Sequence, residues 1–442
     1  MREIYGKFFY EDVEYPFAYK DYIIYLITGG KVYIDVFKDS DNHKFIEGMD
    51  NNGNRLIFLD CEFSKNIFSI TNIIKTTGVI VLRGNNKIDC NNIYDRISFR
   101  SKALNVFSPP MSISKTDIKN FDGKLVVETP SFKQSNINIE FDNYKVIFGY
   151  YNSENFNQPT LLSSIPVFYI EHNISQSVDD IKTDYLRILN LLSFVSFSRS
   201  VEFDDIEISK KIDGKFHNVG KVYIHQRECD YTFKENKMIT LREIPKESFK
   251  NLFETITSDN DYWKHYYIPK KPTDVNIIDH SKWITTAACF EGVFNNFFPN
   301  FKAQENQDFA YAKEEILKAS NDCLSTLKGK RIKKYAKKCI EQVKNYDGLL
   351  EEKFRYALEY IKPVSEKTIN EAMIRIGTSL ELDLAEEYAT VRNKLAHGAF
   401  EELDLDACGV YYAMNVMIYS IILKQSSIPD ETAKAFIKKL FG

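Results

Sequence analysis

Arg392, Asn393 and His397 fall within one short run, Arg392-Asn393-Lys394-Leu395-Ala396-His397-Gly398. The run sets a permanent cation, an amide and an imidazole within about two helical turns. A guanidinium holds phosphate oxygens through paired hydrogen bonds. An imidazole takes up and releases a proton near neutral pH. A site built from these groups suits a phosphodiester: the arginine stabilises charge developing on the phosphate while the histidine moves the proton. No metal-ligand cluster lies near the run in sequence, so neither a metal nor a cofactor is expected.

Two further groups of residues bear on that chemistry. Glu291 flanks an apolar helical stripe and could reach the Arg392–His397 pair as a supporting carboxylate; Arg375 is a more remote candidate. Lys330, Arg331, Lys333, Lys334, Lys337 and Lys338 form a dense basic run. It could guide RNA through phosphate contacts, or it could be a solvated helix face offset by Glu351 and Glu352. His225 and Cys229 are four apart, but no second pair completes a metal site, so a structural role is expected. No phosphate-binding Walker loop, dinucleotide fingerprint or H-E-x-x-H pattern occurs.

The elements that must position these residues can be read from periodicity. Leu380, Leu384, Tyr388, Val391 and Leu395 recur at helical spacing and predict one apolar stripe. At about 100° per residue, Arg392 lies about 80° from the stripe centre and His397 about 220° from it. Both therefore leave the core side, but they stand about 140° apart on an ideal helix. Two arrangements bring them together. The helix can unwind at Gly398, a natural terminator, or two copies of the motif can meet across a two-fold axis.

Around this helix the chain from residue 281 to 442 reads as helical. Ser281 is expected to cap a helix bearing Trp283, Ala287, Phe290, Phe294 and Phe297. A second helix is predicted over about Phe309 to Leu327, and a third from about Lys330 to Ile361, with a break near Tyr346-Asp347-Gly348 and a stop at Pro363. A short helix follows Ser365, and a nearly all-apolar helix over about Leu405 to Lys424 is predicted to be buried in the bundle or in a dimer interface.

The preceding part reads differently. Short runs rich in β-branched and aromatic residues, among them Lys31–Phe37, Gly78–Leu82, Arg96–Arg100, Lys124–Glu128 and Tyr144–Tyr150, alternate with turn formers such as Asn51-Asn52-Gly53-Asn54. The alternation suits an antiparallel sheet with one wet face. One helix interrupts it, with Val178, Ile181, Tyr185, Ile188, Leu192 and Val195 on one side and Ser177 and Asp180 as a capping box. Pro269-Lys270-Lys271-Pro272 marks a linker. The expected organisation is α+β: a β-rich domain over 1–268, a linker over 269–280, and an all-α bundle over 281–442.

Bulk properties narrow the class. The 442 residues carry a net charge of −4, with 44% hydrophobic and 27% charged residues, which fits a folded protein and not a globally basic nucleic-acid coat. Seven scattered cysteines form no C-x-x-C pair, which points to a reducing compartment. The N-terminal residues lack a secretory pattern, and the longest apolar stretch is short for a membrane span. A cytoplasmic protein with no membrane partner is expected.

The C-terminal part resembles a HEPN domain, whose signature is an arginine, a polar residue, and a histidine four to six residues after the arginine; Arg392, Asn393 and His397 match at the four-residue gap. The whole arrangement, a strand-rich region with an embedded helix followed by this domain, is similar to ApeA-type anti-phage proteins. The resemblance implies a metal-independent endoribonuclease in bacterial defence, working as a homodimer or higher oligomer through the HEPN domain. It also implies an N-terminal sensing or regulatory domain that restrains the nuclease until a phage-derived trigger binds. The alternative is a non-catalytic domain that binds RNA or dimerises without cutting.

Overall fold

A computed structural model describes residues 3–10, 13–27, 43–64, 73–84, 88–109, 117–121, 124–128, 137–154, 162–226, 231–258, 266–301, 307–344, 350–396, 398 and 403–442. The chain is mixed α and β, divided by packing into Met1–Asp259 and Asn260–Gly442. The division lies before the expected 268/269 boundary. Tyr267 and Ile268 are buried, and Tyr267 packs edge-on against Tyr419 with ring centroids 5.9 Å apart, so these residues belong to the second unit. The expected linker also holds a short 3-10 turn, Pro272–Asn276, with Asp274 accepting the Lys271 amide at 3.1 Å.

In the first unit every described pairing is antiparallel. The strands are β1 (Ile4–Tyr10), β2 (Val13–Lys20), β3 (Ile23–Leu26), β4 (His43–Asp50), β5 (Arg55–Ser64), β6 (Ile73–Lys75) and β7 (Gly78–Leu82). There follow β8 (Tyr94–Ser101), β9 (Asp117–Phe121), β10 (Lys124–Glu128), β11 (Ile137–Glu140), β12 (Tyr144–Glu154), β13 (Leu162–Gln176), β14 (Phe203–Ile212) and β15 (Lys215–Ile224). β9 and β10 form a separate ladder. The expected strand Lys31–Phe37 lies outside the described residues.

β5 is the pivot of the sheet. Its first half, Arg55–Leu59, pairs with β7, and Glu62–Ser64 pairs with β6. Asp60, between the two halves, takes a left-handed φ of 45°. The change of partner closes β5-β4-β1-β2-β3-β6 into a six-stranded barrel. Phe8, Phe17, Tyr19, Ile24, Leu56 and Phe58 fill it, and the buried Tyr19 hydroxyl is satisfied by Thr76 Oγ1 at 3.1 Å.

The remaining strands run on as an open sheet in the order β7-β15-β14-β8-β13-β12-β11. One face is covered by α1 (Lys102–Phe107), α2 (Asp180–Ser196) and α3 (Lys246–Thr257), through contacts such as Phe148–Phe249, Phe168–Phe253 and Tyr185–Phe203. The other face is polar: Arg100 pairs with Asp205, and Lys221 lies 2.9 Å from Asp205 and 3.5 Å from Glu207. At the start of α2, Asp180 accepts both the amide and the hydroxyl of Ser177, at 2.8 and 2.6 Å. Deeper in the same helix, Asp184 accepts from Tyr94 Oη (2.8 Å) and Arg187 (2.8 Å) and contacts His172 Nε2 (2.7 Å).

The second unit is helical: α4 (His280–Phe297), α5 (Gln307–Thr326), α6 (Lys330–Lys344), α7 (Leu350–Ile376), α8 (Leu384–Ala396), α9 (Leu405–Gln425) and α10 (Asp430–Phe441). α9 is buried at its centre against α4, α7, α8 and α10. It is long and apolar enough to cross a membrane, and 83% of its apolar window is buried within the unit.

Three expectations change here. The cap of α4 is Asp279, not Ser281; its carboxylate accepts the Lys282 amide at 2.8 Å. Pro363 does not end a helix, because α7 continues through it to Ile376 and absorbs the helix expected after Ser365. A mid-helix proline costs about 3 kcal/mol, but Phe354, Ile361, Val364, Ile369 and Met373 are buried along one side, each worth roughly 1.5–3 kcal/mol. The expected break at residues 346–348 lies outside the described residues.

Candidate active site

α8 carries Arg392 and Asn393, and its geometry is fixed at both ends. At the start, Asp383 Oδ1 accepts the amides of Ala385 (3.0 Å) and Glu386 (3.2 Å), while Oδ2 accepts from Arg355 at 2.8 Å. Burial raises the Asp383 pKa, but the Arg355 hydrogen bond and the two amides outweigh it and hold the carboxyl below its ordinary value. At the end, helical structure stops at Ala396, and Gly398 adopts φ 77° while its amide donates to Leu395 O at 3.1 Å. The glycine thus terminates the helix as its backbone freedom allows. Leu384, Tyr388, Val391 and Leu395 are buried, whereas Leu380 is exposed and precedes the helix, so it drops out of the expected stripe.

The buried side of α8 rests on an aromatic stack. Tyr388 lies between Phe354 (centroids 4.5 Å apart, stacked), Phe290 (5.6 Å, edge-on) and Trp283 (5.9 Å, stacked). Trp283 in turn donates from Nε1 to Ala407 O at 3.1 Å, which ties α4 to α9. The ring of Tyr388 is therefore immobilised, and only its hydroxyl emerges from the stack. It donates to Glu291 Oε1 on α4 at 3.2 Å. Burial, together with the charge of Glu291, pushes this phenol well above its ordinary pKa, so it remains a donor.

Arg392 stands one turn after Tyr388 and reaches the same oxygen, with Nε 3.1 Å from Glu291 Oε1. This is its one side-chain hydrogen bond among the described residues, so its two terminal nitrogens have no described partner. The arginine side chain is 37% exposed and that of Glu291 27%. A guanidinium held by Nε keeps its terminal edge free for a bidentate anion. Asn393, the next residue, is exposed, and its side chain makes no hydrogen bond among the described residues. His397 lies outside the described residues.

The structure thus brings Glu291 to Arg392. It does not bring the basic run to them: Lys330, Arg331, Lys334, Lys337 and Lys338 are exposed on α6, which packs against α5, and Lys333 is half-buried. Arg375 is tied elsewhere, to Tyr412 Oη at 3.4 Å and Phe441 O at 3.3 Å. His225 packs on the Tyr22 ring in the first unit, and Cys229 lies outside the described residues. Sequence reasoning placed Tyr388 only in the core stripe and missed its hydroxyl; the signal was its position four before Arg392, where two side chains share one helix face. Among the described residues no three His, Cys, Asp or Glu side chains gather as metal ligands. No family model, curated protein or solved structure matches the chain.

Proposed function

We propose that the helical unit is a HEPN-type endoribonuclease that cleaves RNA without a metal, restrained by the β-rich unit until a phage-derived trigger binds. The observation that carries the reading is Arg392: a guanidinium fixed through Nε by Glu291, with its terminal nitrogens unpaired among the described residues, five residues before His397. RNA carries its own nucleophile in the 2′-hydroxyl. His397 takes the 2′ proton, the 2′ oxygen bonds to phosphorus, and the bond from phosphorus to the 5′ oxygen breaks. A histidine returns a proton to that leaving oxygen, so one end becomes a 2′,3′-cyclic phosphate and the other a 5′-hydroxyl. Two copies of the chain can divide the base and acid roles. Arg392 stabilises the charge gathering on the phosphate oxygens, and Asn393 adds a hydrogen bond to the phosphate or orients the imidazole.

The test is an RNA-cleavage assay in EDTA with wild type, His397→Ala and Arg392→Ala. Cleavage that persists in EDTA and is lost in both variants, with circular dichroism unchanged, supports the enzyme. Full activity in His397→Ala, or cleavage abolished by EDTA, overturns it. RNA that binds to the wild type in the presence of trigger without being cut identifies a non-catalytic RNA-binding module instead.

A further inference from the structure

Helices α5 and α6 form an antiparallel pair that packs chiefly on itself. No described side chain on either helix is fully buried, in contrast to every other helix of the unit. Helices of 20 and 15 residues are marginal alone, and helical stability in proteins comes mainly from covering an apolar face. The seam between the two is visible in the half-buried positions: Lys313, Leu317, Ser320 and Leu324 on α5 face Lys333, Ala336, Ile340 and Val343 on α6.

A second apolar stripe lies one residue before the seam on each helix. On α5 it is Ala312, Ile316, Ala319 and Cys323; on α6 it is Ile332, Tyr335 and Cys339, all exposed. Ile332 is 54% and Tyr335 56% exposed, well beyond what scattered surface residues with no shared pattern require. One residue earlier means a rotation of about 100° away from the seam. Because the helices are antiparallel and each rotates in the same sequence sense, both stripes emerge on the same side of the pair. They merge into one apolar face about 17 Å long and about 20 Å wide, running along the middle of the helix pair.

The edges of that face carry opposite net charge. One residue before Ile316, Ala319 and Cys323 stand Glu315, Lys318 and Asp322, a net acidic edge; one residue before Ile332, Tyr335 and Cys339 stand Arg331, Lys334 and Lys338, a wholly basic one. All six are exposed, and none forms an ion pair with another described residue. A two-fold axis along the length of the pair sets α6 of one copy antiparallel to α5 of the other. The basic edge then meets the acidic edge twice. A two-fold axis across the pair would instead set like charges together, which costs stability.

We infer that this face is a homodimer interface, in which two α5–α6 pairs close into a four-helix bundle with Arg331 and Lys338 of one copy against Glu315 and Asp322 of the other. Lys330 and Lys337 point to the opposite side and stay accessible. The inference concerns only this surface and stands apart from the nuclease reading.

Sedimentation equilibrium on the full chain tests it. The wild type is expected to associate, and the double substitution Ile332→Glu/Tyr335→Glu to raise the dissociation constant of one association step about 100-fold. Reversing one edge with Arg331→Glu/Lys338→Glu is expected to weaken association, and adding Glu315→Lys/Asp322→Lys to restore it. A wild type that stays monomeric at micromolar concentration overturns the inference. So does a double variant that associates like wild type, or a charge swap without rescue. Co-sedimentation of monomers with phosphatidylserine vesicles, lost in Ile332→Glu/Tyr335→Glu, would assign the face to a lipid surface instead.

Discussion

Each unit gathers a tyrosine, a carboxylate and an arginine, and the two clusters differ in access. In the β-rich unit, Asp184 is 1% exposed and both of its oxygens are taken, by Tyr94, His172 and Arg187. Tyr144 covers the Arg187 guanidinium, with its ring centroid 4.5 Å away. In the helical unit, Glu291 uses one oxygen for both Tyr388 and Arg392, and the arginine reaches solvent. In both clusters burial, with the neighbouring acid, pushes the phenol well above its ordinary pKa, so the tyrosine donates. What separates them is the guanidinium. Arg187 is stacked under an aromatic ring and spends a terminal nitrogen on Asp184; Arg392 spends only Nε. Residue types do not separate the two clusters; the unspent donors of Arg392 do.

Breaking the closed cluster should have the larger effect on stability. Removing one partner from a buried ionic network leaves the others unpaired and costs about 3–5 kcal/mol. Asp184→Ala is therefore expected to lower the protection of α2 amides against hydrogen exchange by that order. An effect no larger than a surface substitution would show that water reaches the cluster freely and would erase the contrast.

The same substitution in the open cluster should cost less. Glu291 is partly exposed, so Glu291→Ala is expected to lose about 1 kcal/mol, mostly from the unpaired Tyr388 hydroxyl. Its sharper consequence is positional: Arg392 loses the anchor on Nε. If the nuclease proposal holds, kcat/KM for RNA falls about tenfold, and Glu291→Gln, which keeps an acceptor oxygen, restores most of it. A stability loss equal to that of Asp184→Ala, or equal kinetics for the alanine and glutamine variants, would remove the distinction between the clusters.

Local patterns carried further in the sequence than closure and capping did. β7 and β10 match the predicted runs residue for residue, and α2 follows its stripe, because alternation and helical spacing are local signals. β1, β2, β4, β6 and β9 escaped the reading. Gly6 interrupts β1, where a Cβ would collide with Met49 O, and Pro16 interrupts β2; both residues ordinarily punctuate strands. Barrel closure depends on β5 changing partner at Asp60, a long-range event without a local signature. Pro363 misled in the opposite direction, since tertiary burial along α7 overrides a local breaker. At the site, Arg392, Asn393 and Glu291 were legible as residue types on helices. The shared oxygen on Glu291 was not, because it joins positions 97 and 101 residues away.

The smallest expected effect probes how α8 is held in place. Asp383 anchors its start and is depressed in pKa by Arg355 and two amides despite the opposing effect of burial. A carboxyl with a lower pKa in the folded than in the unfolded chain binds protons more readily when unfolded. Its stabilisation is complete above the unfolded value of about 4 and disappears as pH falls through the folded value, below that. Asp383→Asn should therefore destabilise the helical unit at pH 7 by no more than about 1 kcal/mol, read as a lower thermal midpoint, because the pair with Arg355 is largely exposed. The gap between variant and wild type should shrink as the pH is taken below about 4. If the gap is unchanged in acid, the charge on Asp383 contributes nothing, and α8, with the open cluster at its far end, is positioned by the aromatic stack alone.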